Sequence, residues 1–220
     1  MNPIKPTIKT ELPPIILILV TFLSSFYFYA RFPEQVPTHW NMAGQVDDYS
    51  PRAFAAFFFP ALALFMYILF LILPHLDPRK ERYAQFKRIY HIFKTLIVAM
   101  MALIYFIVGF SGLGYNISVS LWMPVLIGLL FIVMGNYLSK IKPNWFMGIR
   151  TPWTLSSEEV WNKTHRFGGK IFILGGLLMI LEPLLPTNFQ LAVFIITMVI
   201  ILAGTVGYSL IAYLQEKKNK

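Results

Sequence analysis

The sequence predicts an all-α integral membrane protein with six transmembrane helices, both termini on the cytoplasmic side, and a short cytoplasmic amphipathic helix between spans four and five. Three observations predict this. The chain of 220 residues is 57% hydrophobic and only 13% charged, with a mean hydropathy of +0.62. A soluble domain lies nearer roughly 45–50% apolar and about 25% charged. The apolar residues gather into six runs, most of them close to the ~20 residues that cross a bilayer. The lysines and arginines concentrate in alternate connections between those runs, as the positive-inside rule requires.

The runs follow in order. Residues 1–13 form a short cationic tail with Lys5, Lys9 and three prolines. The first run covers Pro14–Ala30. A signal-peptide cleavage site needs small residues at −3 and −1. Phe28 before Arg31 is too large, so this run reads as an uncleaved span. A polar loop, residues 31–52, leads to the second run, Ala53–Leu73, where Pro60 is expected to kink the helix. Pro74–Tyr90 is a basic loop. The third run is Ile92–Phe110, with Lys94 close enough to its entry to snorkel. An uncharged turn, Ser111–Ser120, precedes the fourth run, Leu121–Leu138. After a long polar connection come the fifth run, Ile171–Leu185, a turn at Pro186–Gln190 and the sixth run, Leu191–Leu214. Glu182 shortens the fifth run and is expected at the outer interface. Gly175-Gly176 in the fifth span and Ala203 with Gly207 in the sixth are small residues that let helix backbones approach.

Orientation follows from charge. Residues 1–13, 75–90, 139–170 and 215–220 hold sixteen of the 19 Lys and Arg residues, and the opposite connections hold only Arg31 and Arg52. The formal charge of +9 in a soluble protein would raise nucleic acid as a partner. Here the membrane bias accounts for it, so no direct nucleic-acid contact is expected. The absence of cysteine excludes disulfides, thiolate metal sites and cysteine nucleophiles.

The connection Ile141–Lys170 is the one long polar segment of the C-terminal half. Ser156 and Glu159 have the spacing of a capping box, with Leu155 and Val160 as a hydrophobic staple. Glu158 and Glu159 suit the first turn of a helix, and His165 and Arg166 the last, with Gly168-Gly169 as its stop. Val160, Trp161, Thr164 and Phe167 share one face of that helix, which suits a membrane surface.

The loop Pro37–Ser50 is the second polar segment with specific character. Pro37 and Gly44 mark turns. His39, Asp47 and Asp48 are metal-ligating types, but two carboxylates and one imidazole at this spacing match no metal motif, so no metal is expected. The runs carry almost no ionisable residues, which disfavours an ion-coupled carrier. No Ser/His/Asp arrangement, metalloprotease helix or phosphate-cradling glycine loop is present, so no enzyme activity and no cofactor are expected.

Two stretches carry a family likeness. GNYLSKIKPNWFMGIRTPWTLSSEEVWNKTHRFGGK, Gly135–Lys170, resembles the signature of the SdpI family of bacterial membrane proteins. FPEQVPTHWNMAGQVDDYSP resembles the domain of unknown function often joined to it, with the pattern P-x-H-W-N-x-x-G-x-x-D. The resemblance implies two domains: residues 1–115 with spans one to three and the loop 31–52, and residues 116–220 with spans four to six and the loop 139–170. It also implies a multi-pass protein of the bacterial cell membrane that protects against a secreted, membrane-disrupting peptide toxin. The family's namesake further acts as a receptor that holds a transcriptional repressor at the membrane.

On that analogy Pro37, His39, Trp40, Asn41, Gly44 and Asp47 are expected to sense the toxin. Asn144, Gly148, Arg150, Thr151, Trp153, Glu159, Trp161, His165 and Arg166 are expected to bind the cytoplasmic repressor, with membrane lipids as further partners. A small-molecule or lipid transporter and a membrane enzyme acting on lipid are the competing readings.

Overall fold

A computed structural model describes residues 4–41 and 43–219. Lys220, counted above in the basic tail, and residues 1–3 lie outside the described residues. Among the described residues seven α-helices occur: α1 (Ile8–Arg31), α2 (Arg52–Leu76), α3 (Lys87–Gly112), α4 (Val119–Leu138), α5 (Pro152–Ser156), α6 (Glu158–Leu181) and α7 (Thr187–Lys218). All but α5 are long and apolar enough to cross a membrane, α6 doing so together with a 3₁₀ turn to Leu184. Large side chains stay uncovered along them, such as Leu23 at 70% and Leu202 at 65% exposure. In water such surfaces would drive association, whereas in a bilayer lipid covers them.

The class is mostly helical, with one exception. The loop after α1 forms an antiparallel hairpin of β1 (Gln35–Trp40) and β2 (Val46–Pro51). Pro37 therefore sits within a strand and not at a turn. The helices also run past the apolar segments. Thr7 caps α1, with Thr10 returning the bond to the Thr7 N–H at 3.0 Å, so the helix begins six residues before the apolar run and includes Glu11. α2 continues through Pro60 and Pro74.

The amphipathic helix expected from Ser156 to Gly168 is corrected in three ways. Ser157, not Ser156, caps α6, accepting the Val160 N–H at 3.3 Å. The reciprocal capping box lies one helix earlier, between Thr151 and Thr154 at the start of α5. Gly168 and Gly169 do not stop the helix, because α6 runs on to Leu181 as the fifth span. Their role is contact, since tertiary packing replaces the C-terminal stop that local sequence signals.

The chain divides into two compact units. One comprises Pro6–Leu71 and His91–Met123. Its core joins Phe28, Phe32, Val36, Ala55, Ala56 and Tyr105. Phe28 stacks on Phe32 at 5.2 Å and meets Tyr105 edge-on at 5.4 Å. Val36 of β1 is fully buried in this cluster, which ties the hairpin to the helices of its unit.

Within the same unit an ionic cluster joins three spans. Lys94, 1% exposed, lies 2.6 and 2.5 Å from the two oxygens of Glu11. Tyr67 donates to Glu11 at 2.8 Å, Thr10 at 3.0 Å, and His91 Nδ1 lies 3.7 Å away. Lys94 thus does not snorkel. A lysine buried among helices needs a counter-charge, and Glu11 supplies it from a helix turn that hydropathy alone assigns to the tail.

The other unit comprises, of the described residues, 4–5, 72–90 and 124–219. Here α4 and α6 cross at glycines. A Cβ on Gly176 would lie 2.5 Å from the Gly128 carbonyl oxygen, and one on Gly169 would lie 2.7 Å from that of Gly135. Ala203 is exposed and a Cβ on Gly207 would meet nothing within 4 Å, so the small-residue pair of α7 makes no such approach in this chain. Gly176→Ala is expected to destabilise the protein by about 1–3 kcal/mol, because backbone cannot yield as a side chain does. Gly207→Ala is expected to be neutral or stabilising by up to about 1 kcal/mol. Unfolding of both variants in lipid nanodiscs checks the contrast.

Candidate functional site

The segment between α4 and α6 is a folded platform, not a floppy connector. Its first turn is built by Asn144, which is fully buried. The amide nitrogen donates to the carbonyls of Lys142 and Met147 at 2.8 and 3.0 Å, and the oxygen accepts from Phe146 N and Met147 N at 2.9 and 2.6 Å. The side chain thus uses its full bonding capacity to close the loop.

Gly148 follows with φ of +103°, and a Cβ there would collide with the His165 ring. Only glycine fits both demands. His165 is fully buried and accepts the Ile149 N–H on Nε2 at 3.0 Å. Nδ1 must then carry the proton, which it donates to the Trp161 carbonyl at 2.8 Å. Trp161, one turn earlier on α6, stacks on His165 with ring centres 4.0 Å apart and donates Nε1–H to Ile141 O at 2.8 Å. Two residues of α6 therefore hold both ends of the loop.

Thr151 and Thr154 lock the next turn. Thr151 Oγ1 donates to Ser209 of α7 at 3.1 Å, and Thr154 Oγ1 donates to Ile149 O at 2.9 Å. A second anchor comes from the basic connection after α2. Asp77, 2% exposed, accepts from Arg79 N, Tyr83 OH and Trp145 N at 2.7, 2.8 and 2.9 Å. Burial, and after it the adjoining Asp77 carboxylate, push the Tyr83 phenol well above its usual range, so it stays a donor. Arg79 donates to Leu155 O at 2.9 Å, and Arg82 pairs with Glu158 at 2.8 Å. Sequence reading missed Asp77 and Tyr83. A lone aspartate after Pro74 in a basic loop was the one available signal.

The nine residues expected to bind a partner therefore separate. Asn144, Thr151, Trp161 and His165 are enclosed and shape the platform. Gly148 is exposed but serves as a backbone position. Arg150, Glu159 and Arg166 are exposed, Trp153 is half-buried, and Trp145, not singled out from sequence, is 47% exposed. Arg150 donates to Trp145 O at 2.7 Å. That bond fixes one arm of the guanidinium and leaves its other donors for a carboxylate or phosphate. Glu159 is paired with Lys163 at 2.6 Å.

The hairpin separates in the same way. Asn41 accepts from Ala43 N and Gln45 N, both at 3.0 Å, and closes the turn. Gly44 has φ of +76°, and a Cβ would press on Ser120. Trp40 is half-buried and Pro37 lies opposite Tyr49 in the ladder. His39 Nδ1 and Asp47 Oδ1 pair at 2.5 Å on the open surface, beside the exposed Asp48 and Tyr49. Asp48 turns its carboxylate to its own backbone, accepting from Tyr49 N at 2.8 Å, and does not join the His39–Asp47 pair.

Comparison with known proteins adds three findings. Residues 140–211 match the SdpI/YfhL protein family. Residues 16–64 match a domain of unknown function, DUF1648. The chain is similar to "Immunity protein SdpI" of Bacillus subtilis (strain 168), 24% identical over 210 residues that cover 96% of this chain and 97% of that protein. No solved structure matches the chain.

Proposed function

We propose that the chain, whose residues 140–211 match the SdpI/YfhL family and whose residues 16–64 match DUF1648, is an immunity protein of the cell membrane that protects its cell from a secreted peptide toxin. The observation that carries the reading is similarity to an immunity protein along nearly the full length of both chains. Both polar segments that the similarity spans are folded surfaces held by buried side chains, as recognition requires.

In this reading the hairpin faces outward, because its flanks hold only Arg31 and Arg52 while the other connections hold sixteen basic residues. Its toxin-facing surface is His39, Asp47, Asp48 and Tyr49, with Trp40, Asn41 and Gly44 setting its shape. The platform faces the cytoplasm and presents Trp145, Arg150, Trp153 and Arg166 to a transcriptional repressor. Aromatic and arginine side chains on a rigid frame, here exposed except for the half-buried Trp153, are the usual anchors of a protein interface.

Challenge of toxin-sensitive cells tests both halves. Cells expressing the chain are expected to survive, and Trp40→Ala with Asp47→Ala is expected to bring survival down to that of cells without the protein. Trp145→Ala with Arg150→Ala is expected to keep protection and lose membrane recruitment of the repressor. Full protection by the hairpin variant at equal expression rejects the outer assignment. Undiminished recruitment by the platform variant rejects the inner one.

A further inference from the structure

Glu182 ends the fifth span as the C-cap of α6, where a single 3₁₀ turn, Glu182–Leu184, leads toward α7. Sequence reading expects it at the outer interface. Its side chain is enclosed by protein, 2% exposed, and Oε2 has no hydrogen-bond partner. Among the described residues the other two buried acids differ. Asp77 accepts three hydrogen bonds, and Glu11 is held by Lys94 and Tyr67.

Among the described residues no ion pair to Glu182 forms, and α4, which crosses α6 beside Ile180, carries Tyr137 as its one titratable group, about 14 Å along that helix from Gly128. The charged and titratable groups of α6 are Glu158, Glu159, Lys163, His165, Arg166 and Lys170. The nearest of them, Lys170, precedes Glu182 by about 18 Å along the helix at 1.5 Å per residue. On α7 the first is Tyr208, about 30 Å beyond that helix's start at the same rise, followed by Tyr213, Glu216, Lys217 and Lys218. The unpaired carbonyls at the C-terminal end of α6 add negative potential at the same place. An isolated carboxylate is among the costliest groups to enclose, whereas the neutral acid is far cheaper.

We propose that Glu182 is a proton-binding site: in this conformation it is a neutral carboxylic acid, and it ionises only when the 182–184 turn opens to water. The bound ligand is a proton, which adds to the carboxylate to give the acid with no other bond changed. One carboxylate oxygen without companions does not make a metal site, and among the described residues no group of three acidic or histidine side chains gathers anywhere. The segment that would move is a single 3₁₀ turn containing Pro183. Release of the proton would thus be tied to movement of the link between the last two spans.

Infrared spectroscopy of the full chain in lipid nanodiscs tests the proposal through the carbonyl stretch of a protonated carboxylic acid. At neutral pH the wild type is expected to show that band, Glu182→Gln to lose it, and Glu182→Asp to keep it at a shifted position. Gln retains the shape and neutrality of the acid, so its helicity by circular dichroism is expected to be unchanged. A wild-type spectrum without the band at neutral pH overturns the proposal, and this arm needs no variant. An undiminished band in Glu182→Gln, or an unshifted one in Glu182→Asp, also overturns it.

Discussion

Lys94→Ala is expected to destabilise the protein by about 3–5 kcal/mol, the usual penalty for breaking a buried pair by removing one partner. The variant leaves Glu11 enclosed between α1, α2 and α3 with only the hydroxyls of Tyr67 and Thr10 on its carboxylate. His91, 3.7 Å from Glu11, is a further group able to carry a positive charge there. Lys94→Met with Glu11→Gln removes both charges and keeps most of the volume. That double variant is expected to recover most of the loss, because replacing both members of a buried pair is often close to neutral. Reversible unfolding in nanodiscs at several detergent fractions measures the cycle. A single-variant loss below about 1 kcal/mol, the size of a surface pair, shows that the cluster is hydrated and not enclosed.

Asn144→Ala is expected to cost about 3–6 kcal/mol and to abolish the shape of the platform. Four hydrogen bonds end on this one amide, and the variant strands two backbone N–H groups and two carbonyls. Each buried orphan costs about 1–3 kcal/mol, and water reaching the opened turn returns part of that. The local consequence is larger than the global one. Trp145 and Gly148 lie on either side of the turn that Asn144 closes, so Trp145, Arg150 and the Gly148–His165 contact lose their register together. Hydrogen exchange checks this: the amides of Phe146, Met147 and Ile149 are expected to lose protection in Asn144→Ala while those of α7 keep theirs. Equal exchange in wild type and variant at those three amides shows that the turn is held by its backbone alone.

The spans themselves are legible in the sequence. An 18-residue apolar run in a chain with 13% charged residues has one inexpensive solution in a bilayer, because only a helix satisfies every backbone group within its own segment. The two polar segments were legible as well, since specific polar residues between greasy runs have no role in lipid. The hairpin was harder, because Asn41 and Gly44 signal a turn while Pro37 within the flank argues against a strand. It forms because Val36 finds a buried place against Phe32 and Gly112.

What tertiary structure alone decided was which polar residues face inward. Trp161 reads as part of the apolar face of a surface helix and His165 as a residue of its last turn, but α6 turns both to the loop 141–149. A Gly-Gly pair that locally ends helices became the crossing point of α4 and α6, because Gly135 approaches it. Glu11 and Lys94 are 83 residues apart, so no local pattern pairs them. Apolar periodicity reports the preference of each segment for lipid, a property of that segment alone. The enclosure of a charge depends on the partner that another helix brings, and that is fixed only once the helices pack.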